Sequence, residues 1–174
     1  MYQFLSRISN KYFSKYGHKL FKWFFNLSPM YRRTTGKITR VTPDFLRIDV
    51  KIPISYKNKN YVGTIFGGSL FAATDPLYMV QLIQILGRDY VVWDKSSTIK
   101  FKRPANADAY TVFEFSEEEI EDLKSEVSQK HEIELFKSVH LKSKEGTLFC
   151  EIEKVIYIAD KEFYKQKKKT RSKS

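Results

Sequence analysis

The chain has 174 residues, 42% hydrophobic and 16% aromatic, with a formal net charge of +11. That length suits one domain able to bury a core without cross-links. A lone cysteine, Cys150, excludes an internal disulfide framework and a cysteine-based zinc site, and seven glycines and five prolines are too few for a collagenous or low-complexity chain. No uninterrupted apolar run reaches the roughly 18 residues of a spanning helix, and a reducing, cytoplasmic compartment is expected.

The charge lies at the ends. Residues 1–28 carry Arg7, Lys11, Lys15, Lys19 and Lys22 and no acid, and residues 161–174 carry seven cations against Glu162 alone, so residues 29–160 are neutral. A neutral body argues against a nucleic-acid-binding face. Three segments follow: a basic amphipathic helix over 1–28, a folded domain over 29–160, and a disordered basic tail over 161–174. In the first, Phe4, Ile8, Tyr12, Tyr16 and Leu20 recur every four residues, widened by Leu5, Phe13, Phe21, Phe24 and Phe25. Such a helix packs on its own domain or a partner subunit, lies on a membrane surface through residues 1–25, or serves as a targeting peptide. A peripheral place at the inner membrane surface therefore stands beside the cytoplasmic one.

Gly36–Val41 and Phe45–Ile54 alternate apolar and polar residues around a Thr-Pro-Asp turn and predict an antiparallel pair. The segment Gly67–Gly87 is apolar over nearly its whole circumference, which predicts a helix surrounded by protein. Asp75, Pro76, Gln81 and Gln84 interrupt it too much for a membrane span. Strand-like runs follow at 89–92, 97–102 and 110–115. A capping box at Ser116/Glu119 opens a short helix with Ile120, Leu123 and Val127 on one side, and strands are expected at 132–142 and 147–158. Five or six antiparallel strands with one buried helix make an α+β pattern, a curved sheet wrapped around a central helix: the hot-dog architecture.

Asp75 is the chemical anomaly. A carboxylate in an apolar helix must be paired, protonated or set in a cavity, and Pro76 beside it must kink the helix, because it lacks an N–H and clashes with the carbonyl of Ala72. Gly67 and Gly68 precede the helix, where backbone N–H groups can bind an oxyanion; tight packing against the sheet explains them equally well. No Gly-Lys-Ser/Thr follows, so this is not a nucleotide P-loop. His18, His131 and His140 lack ligand spacing and Cys150 lies in an apolar strand, so no metal and no cofactor is expected. Trp93-Asp94-Lys95 reads as a strand irregularity whose aromatic packs near the helix.

The run from Asn60 to Asp75 resembles the active-site segment of hot-dog acyl-CoA thioesterases of the phenylacetyl-CoA type, with Asn60, Phe66, Gly67, Gly68 and Asp75 at the family's spacings. The strand from Ser96 to Ala105 is also similar. From about Asn26 to Ile158 the chain resembles an uncharacterised bacterial branch of that superfamily, on the cues Asn26-Leu-Ser-Pro-Met-Tyr-Arg and Tyr90-Val-Val-Trp-Asp-Lys. The resemblance implies that Asp75 is the base or nucleophile against a thioester of coenzyme A or of an acyl carrier. It implies that the Gly68 amide, with Gly67, stabilises the oxyanion, that Asn60 orients water or carbonyl, and that Ser97 and Thr98 support the site. Arg103 or Lys102 would meet the phosphates of coenzyme A, or else be solvent-facing charges. It further implies a homodimer, or a tetramer, with each site shared between subunits. One position departs: the family's His is Phe66, which cannot donate a hydrogen bond. A non-catalytic acyl- or lipid-binding protein of the same fold is the rival expectation.

Overall fold

The computed structural model describes residues 13–171; the expectations for Phe4, Leu5, Ile8 and Tyr12, and for the last three residues, fall outside it. In chain order the elements are α1 (Phe13–Leu27), α2 (Pro29–Arg33), β1 (Lys37–Val41), β2 (Arg47–Ile52), α3 (Gly67–Thr74), α4 (Leu77–Leu86), a 3-10 turn (Gly87–Asp89), β3 (Tyr90–Phe101), β4 (Ala109–Glu114), α5 (Glu117–Lys130), β5 (Glu132–Lys142), β6 (Leu148–Asp160) and α6 (Lys161–Arg171). The strands form one six-stranded sheet in the order β1-β2-β4-β5-β6-β3, and every pair is antiparallel. The sheet curves around α3 and α4, so the α+β hot-dog architecture expected from the sequence is the one observed.

Alternation explains the core. Ile48, Val50 and Ile52 of β2, Ala109, Thr111 and Phe113 of β4, and Ile152, Ile156 and Ile158 of β6 are buried on the inner face. Against them lie Leu70, Ala73, Leu77, Tyr78, Val80, Gln81 and Leu82 of the central helix. The helical run Gly67–Asp89 is by length and composition long and apolar enough to cross a membrane, yet half of its most apolar window is buried inside the domain. Its place beneath the sheet accounts for the buried half, while Ile83 remains exposed.

Two expected strands at 89–92 and 97–102 are one strand, β3, with its register slipped between Asp94 and Ser96. The anticipated irregularity is therefore a bulge inside a strand rather than a break between two. Trp93 packs on Tyr157, with ring centroids 5.3 Å apart, and edge-on to Tyr164 of α6, not on the central helix. The capping box is present, with Ser116 Oγ accepting from Glu119 N at 3.0 Å, and Ile120, Leu123 and Val127 are buried as expected.

The C-terminal segment differs from expectation. Residues 161–171 form a helix where a disordered tail is predicted. Composition misses the anchors, which lie on other strands. Asp160 Oδ1 accepts from Phe163 N at 2.8 Å, Phe163 stacks on His131, and Lys167 pairs with Glu132.

The N-terminal helix closes an edge. Asn26 of α1 uses both ends of its amide on β1, donating to Ile38 O at 2.9 Å and accepting from Ile38 N at 2.8 Å. It occupies the outward-facing backbone groups of the edge strand as another strand would. Ser28 then caps α2, with Pro29 at its first position, and α2 delivers the fully buried Tyr31, whose hydroxyl donates to Ala73 O at 3.1 Å. Burial raises the Tyr31 phenol above its ordinary value, so it remains a neutral donor. Tyr31→Phe is expected to cost about 1–2 kcal/mol by stranding that carbonyl, read as a lower urea midpoint at unchanged slope.

Candidate active site

The central helix is broken where the sequence places Pro76. Asp75 N still donates to Phe71 O at 3.0 Å, and Val80 N donates to Pro76 O at 3.0 Å to begin the next helix. Two carbonyls at the break find donors from elsewhere in the fold: Ala73 O takes the Tyr31 hydroxyl, and Asp75 O takes the ammonium of Lys154. Thr74 Oγ1 also turns back onto Phe71 O at 2.8 Å.

Lys154 is the residue that sequence reasoning missed. It lies in β6 between Ile152 and Ile156 on the inner face, and its side chain is wholly buried. Besides Asp75 O, its Nζ bonds Asp75 Oδ1 at 3.2 Å and stands 3.1 Å from Asp94 Oδ1 of β3. The three protons of an ammonium thus face three oxygens. The Asp94 contact is electrostatic rather than a directed hydrogen bond, since Asp94 Oδ1 has no hydrogen-bond partner. A period-two reading of β6 exposes the anomaly directly, because Cys150, Ile152, Lys154, Ile156 and Ile158 share one face.

Asp75 is therefore paired rather than enclosed: its side chain remains 48% exposed. Asp94 is more deeply placed. Burial raises its pKa, the attraction of Lys154 opposes this, and the charge of Asp75 adds to it.

The bulge decides which β3 side chains join them. Ser97 lies directly opposite Lys154 and so shares its face, whereas Thr98 lies opposite Glu153 and is exposed on the other. Lys102 pairs with Glu151 at 3.1 Å on the outer surface, and Arg103 is exposed just beyond β3.

At the other end of α3, Phe66 occupies the N-cap position without a side-chain cap. The amides of Gly67 and Gly68 open the first turn, where no intrahelical carbonyl is available. Each glycine lies under an aromatic ring: a Cβ at Gly67 would come within 2.6 Å of the Phe101 ring, and one at Gly68 within 2.3 Å of the Phe66 ring. Both rings are more than half exposed, so the two amides are framed by apolar walls. Asn60 lies one loop earlier. Its Oδ1 accepts from Val62 N and Thr64 N, each at 3.1 Å, and its Nδ2 donates to Thr64 Oγ1 at 3.0 Å, so the amide shapes the turn that leads into Phe66.

Cys150 is buried and its thiol is pushed up to about 12 by desolvation, which leaves it inert. Hollows of about 500 and 490 Å³ lie elsewhere, one against Trp93, Tyr157 and α6, the other against Asn26 and Tyr56; neither is lined by Asp75 or the glycines.

Two stability measurements check this electrostatic arrangement. Lys154→Met leaves Asp94 without its counter-charge and is expected to cost about 3–5 kcal/mol, with Asp94→Asn in the same chain restoring part of the loss. In the wild type, Asp94 holds its proton more tightly folded than unfolded, so stability falls as pH rises through its titration. Asp94→Asn alone should match the wild type at acid pH and exceed it at neutral pH, in urea titrations across that range.

Comparison with known proteins agrees with this fold. The model of a family described as a domain of unknown function, DUF4442, matches residues 17–158. No curated protein matches the chain. Among solved structures, a Pseudomonas aeruginosa protein described as a probable thioesterase is 19% identical, with a TM-score of 0.72 over 82% of this chain and 95% of its own. A protein of unknown function from Chlorobaculum tepidum is 18% identical, with a TM-score of 0.65 over 83% of this chain and 94% of its own. A Haemophilus influenzae thioesterase is 10% identical, with a TM-score of 0.58 over 82% of this chain and 90% of its own. Identities this low speak for the fold alone. The sheet wrapped on a broken helix is the hot-dog fold that these structures share, and the family match over residues 17–158 places the chain in the DUF4442 family.

Proposed function

We propose that the protein hydrolyses a thioester of coenzyme A or of an acyl carrier, with Asp75 as general base. The observation that carries this reading is the Asp75 carboxylate, half exposed and fixed through Oδ1 by a buried ammonium at the break of the helix. A carboxylate held in one orientation and still open to solvent can take a proton from water. That water attacks the thioester carbonyl carbon, its proton passes to Asp75, and the carbonyl oxygen becomes an oxyanion. The amides of Gly67 and Gly68 donate to the oxyanion. The tetrahedral centre then collapses, the C–S bond breaks, the thiolate leaves and recovers the proton, and a carboxylic acid remains.

Seven residues of helix separate Gly68 from Asp75, about 10 Å along the axis. The base acts on the attacking water and the amides on the carbonyl oxygen, and in this reading one chain does not supply both to the same substrate. Two copies can, and β3 supports a homodimer: it is the outer strand of the sheet and 12 residues long, so it offers an open edge for a second copy. In this reading Phe66 and Phe101 wall the acyl group, Ser97 lines the site beside Lys154, and Arg103 meets a phosphate of the carrier. Asn60 acts through the loop that positions Phe66, and Thr98 belongs to the outer surface.

The replacement of a donor by Phe66, 58% exposed beside the glycine amides, favours a second reading, acyl binding without turnover. One experiment separates the two. Thiol release is measured over short, long and aromatic acyl-CoA substrates for wild type and Asp75→Asn. The hydrolase reading expects kcat/KM to fall about 10²–10⁴-fold in the variant while its circular dichroism is unchanged. Absence of turnover in the wild type, with acyl-CoA binding retained in both proteins, would establish the binding protein instead.

A further inference from the structure

The N-terminal helix has two apolar faces, and the domain uses only one. Phe21 and Phe25 turn inward, their rings stacked at 5.3 Å; Phe21 meets Phe45 edge-on, and Phe25 lies 4.8 Å from Tyr31. On the opposite side Tyr16, Leu20, Trp23, Phe24 and Leu27 are exposed, with Trp23 at 55%. At 3.6 residues per turn these five fall within an arc of about 100°. Met30, at the start of α2, adds another exposed apolar side chain. A helix whose task ended with closing the sheet edge would carry polar residues on this arc.

Charge identifies the occupant. From Tyr16 to Pro43 the chain carries Lys19, Lys22, Arg32, Arg33, Lys37 and Arg40, and the first acid anywhere in the sequence is Asp44. All of these cations except Lys22 are exposed, and Lys22 donates to Thr39 O at 3.3 Å. The arc is thus an aromatic and aliphatic ridge in a segment that has cations and no anions.

We propose that the outer face of α1 docks on an anionic lipid bilayer. The helix lies in the plane of the surface, Leu20, Trp23, Phe24 and Leu27 enter the boundary between headgroups and acyl chains, and the exposed cations of α1 and α2, Lys19, Arg32 and Arg33, meet the lipid phosphates. A second copy of the chain suits this face poorly. A twofold contact lays the patch against itself, and α1 and α2 carry cations but no carboxylate of their own with which to pair. Nucleic acid would match the charge but has no counterpart for Leu20, Leu27 and Met30. The docking surface is independent of the thioester chemistry, and a catalytically dead protein docks equally well.

Trp23 reports its own environment once the other tryptophan, Trp93, is removed. The full chain carrying Trp93→Phe is titrated with vesicles of phosphatidylcholine alone and of phosphatidylcholine mixed with phosphatidylglycerol. The expected result is a blue shift of Trp23 emission and co-sedimentation with the mixed vesicles, weakened by salt. In the wild-type chain, Trp23→Ser with Leu27→Ser lowers partitioning about tenfold or more, and Lys19→Glu with Arg33→Glu lowers it while leaving Trp23 and Leu27 in place. All four positions are exposed, so unchanged circular dichroism verifies the fold. No co-sedimentation of the full chain overturns the proposal, as does partitioning that the Trp23/Leu27 variant leaves intact. Sedimentation velocity in which those same substitutions dissolve an oligomer assigns the face to a second copy instead and likewise overturns it.

Discussion

The buried ammonium of one lysine organises this domain. Lys154 reaches from the inner face of β6 to the point where Pro76 breaks the central helix, and holds the Asp75 carbonyl and carboxylate together. A helix break inside a core exposes backbone carbonyls to an environment without water, and each needs a donor. Tyr31 supplies one from a helix far away in sequence and Lys154 supplies the other from the last strand. The break can persist because both ends of the chain converge on it. The same contact keeps the Asp75 carboxylate oriented while leaving it half exposed, so Lys154 serves both the kink and the carboxylate beside it.

The parts of the fold governed by periodicity were legible in the sequence. β2, β5 and β6 alternate, α5 has its capping box and its Ile120–Leu123–Val127 stripe, and an all-apolar run could only be a surrounded helix. What escaped were features decided by contacts between distant segments. The α6 residues look disordered by composition because their partners, His131 and Glu132, sit where β5 begins and cannot be inferred from a lysine-rich string. Ser97 and Thr98 look equivalent, and only the one-residue bulge before them sends the first inward and the second outward. Lys154 was readable in principle, as a charge on the buried register of β6, yet its partners Asp75 and Asp94 lie in two other elements. The candidate site was thus half visible: the acid and the glycines stood out by residue type, and the lysine that orients the acid did not.

The site also shows how a fold reallocates polar groups. Asn60 has the residue type and spacing of a group that would handle substrate, but its amide is committed to Val62 and Thr64. Gly67 and Gly68 carry no side chain to clash with Phe101 and Phe66, and that clearance leaves their amides bounded by aromatic surface. The polar groups offered beside the glycines are therefore backbone amides, and the side chains there present apolar surface.

The pairing of Asn26 with Ile38 bears on how large an assembly this protein can build. A sheet with both edges open can be extended strand by strand without end, and filaments grow from such geometry. Here α1 lies along β1 and fills its outward hydrogen bonds at Ile38, while β3 at the opposite edge stays bare. With the Ile38 groups of one edge already taken by Asn26, a second sheet meets competition there, and the twelve-residue β3 is left as the freer edge for strand pairing.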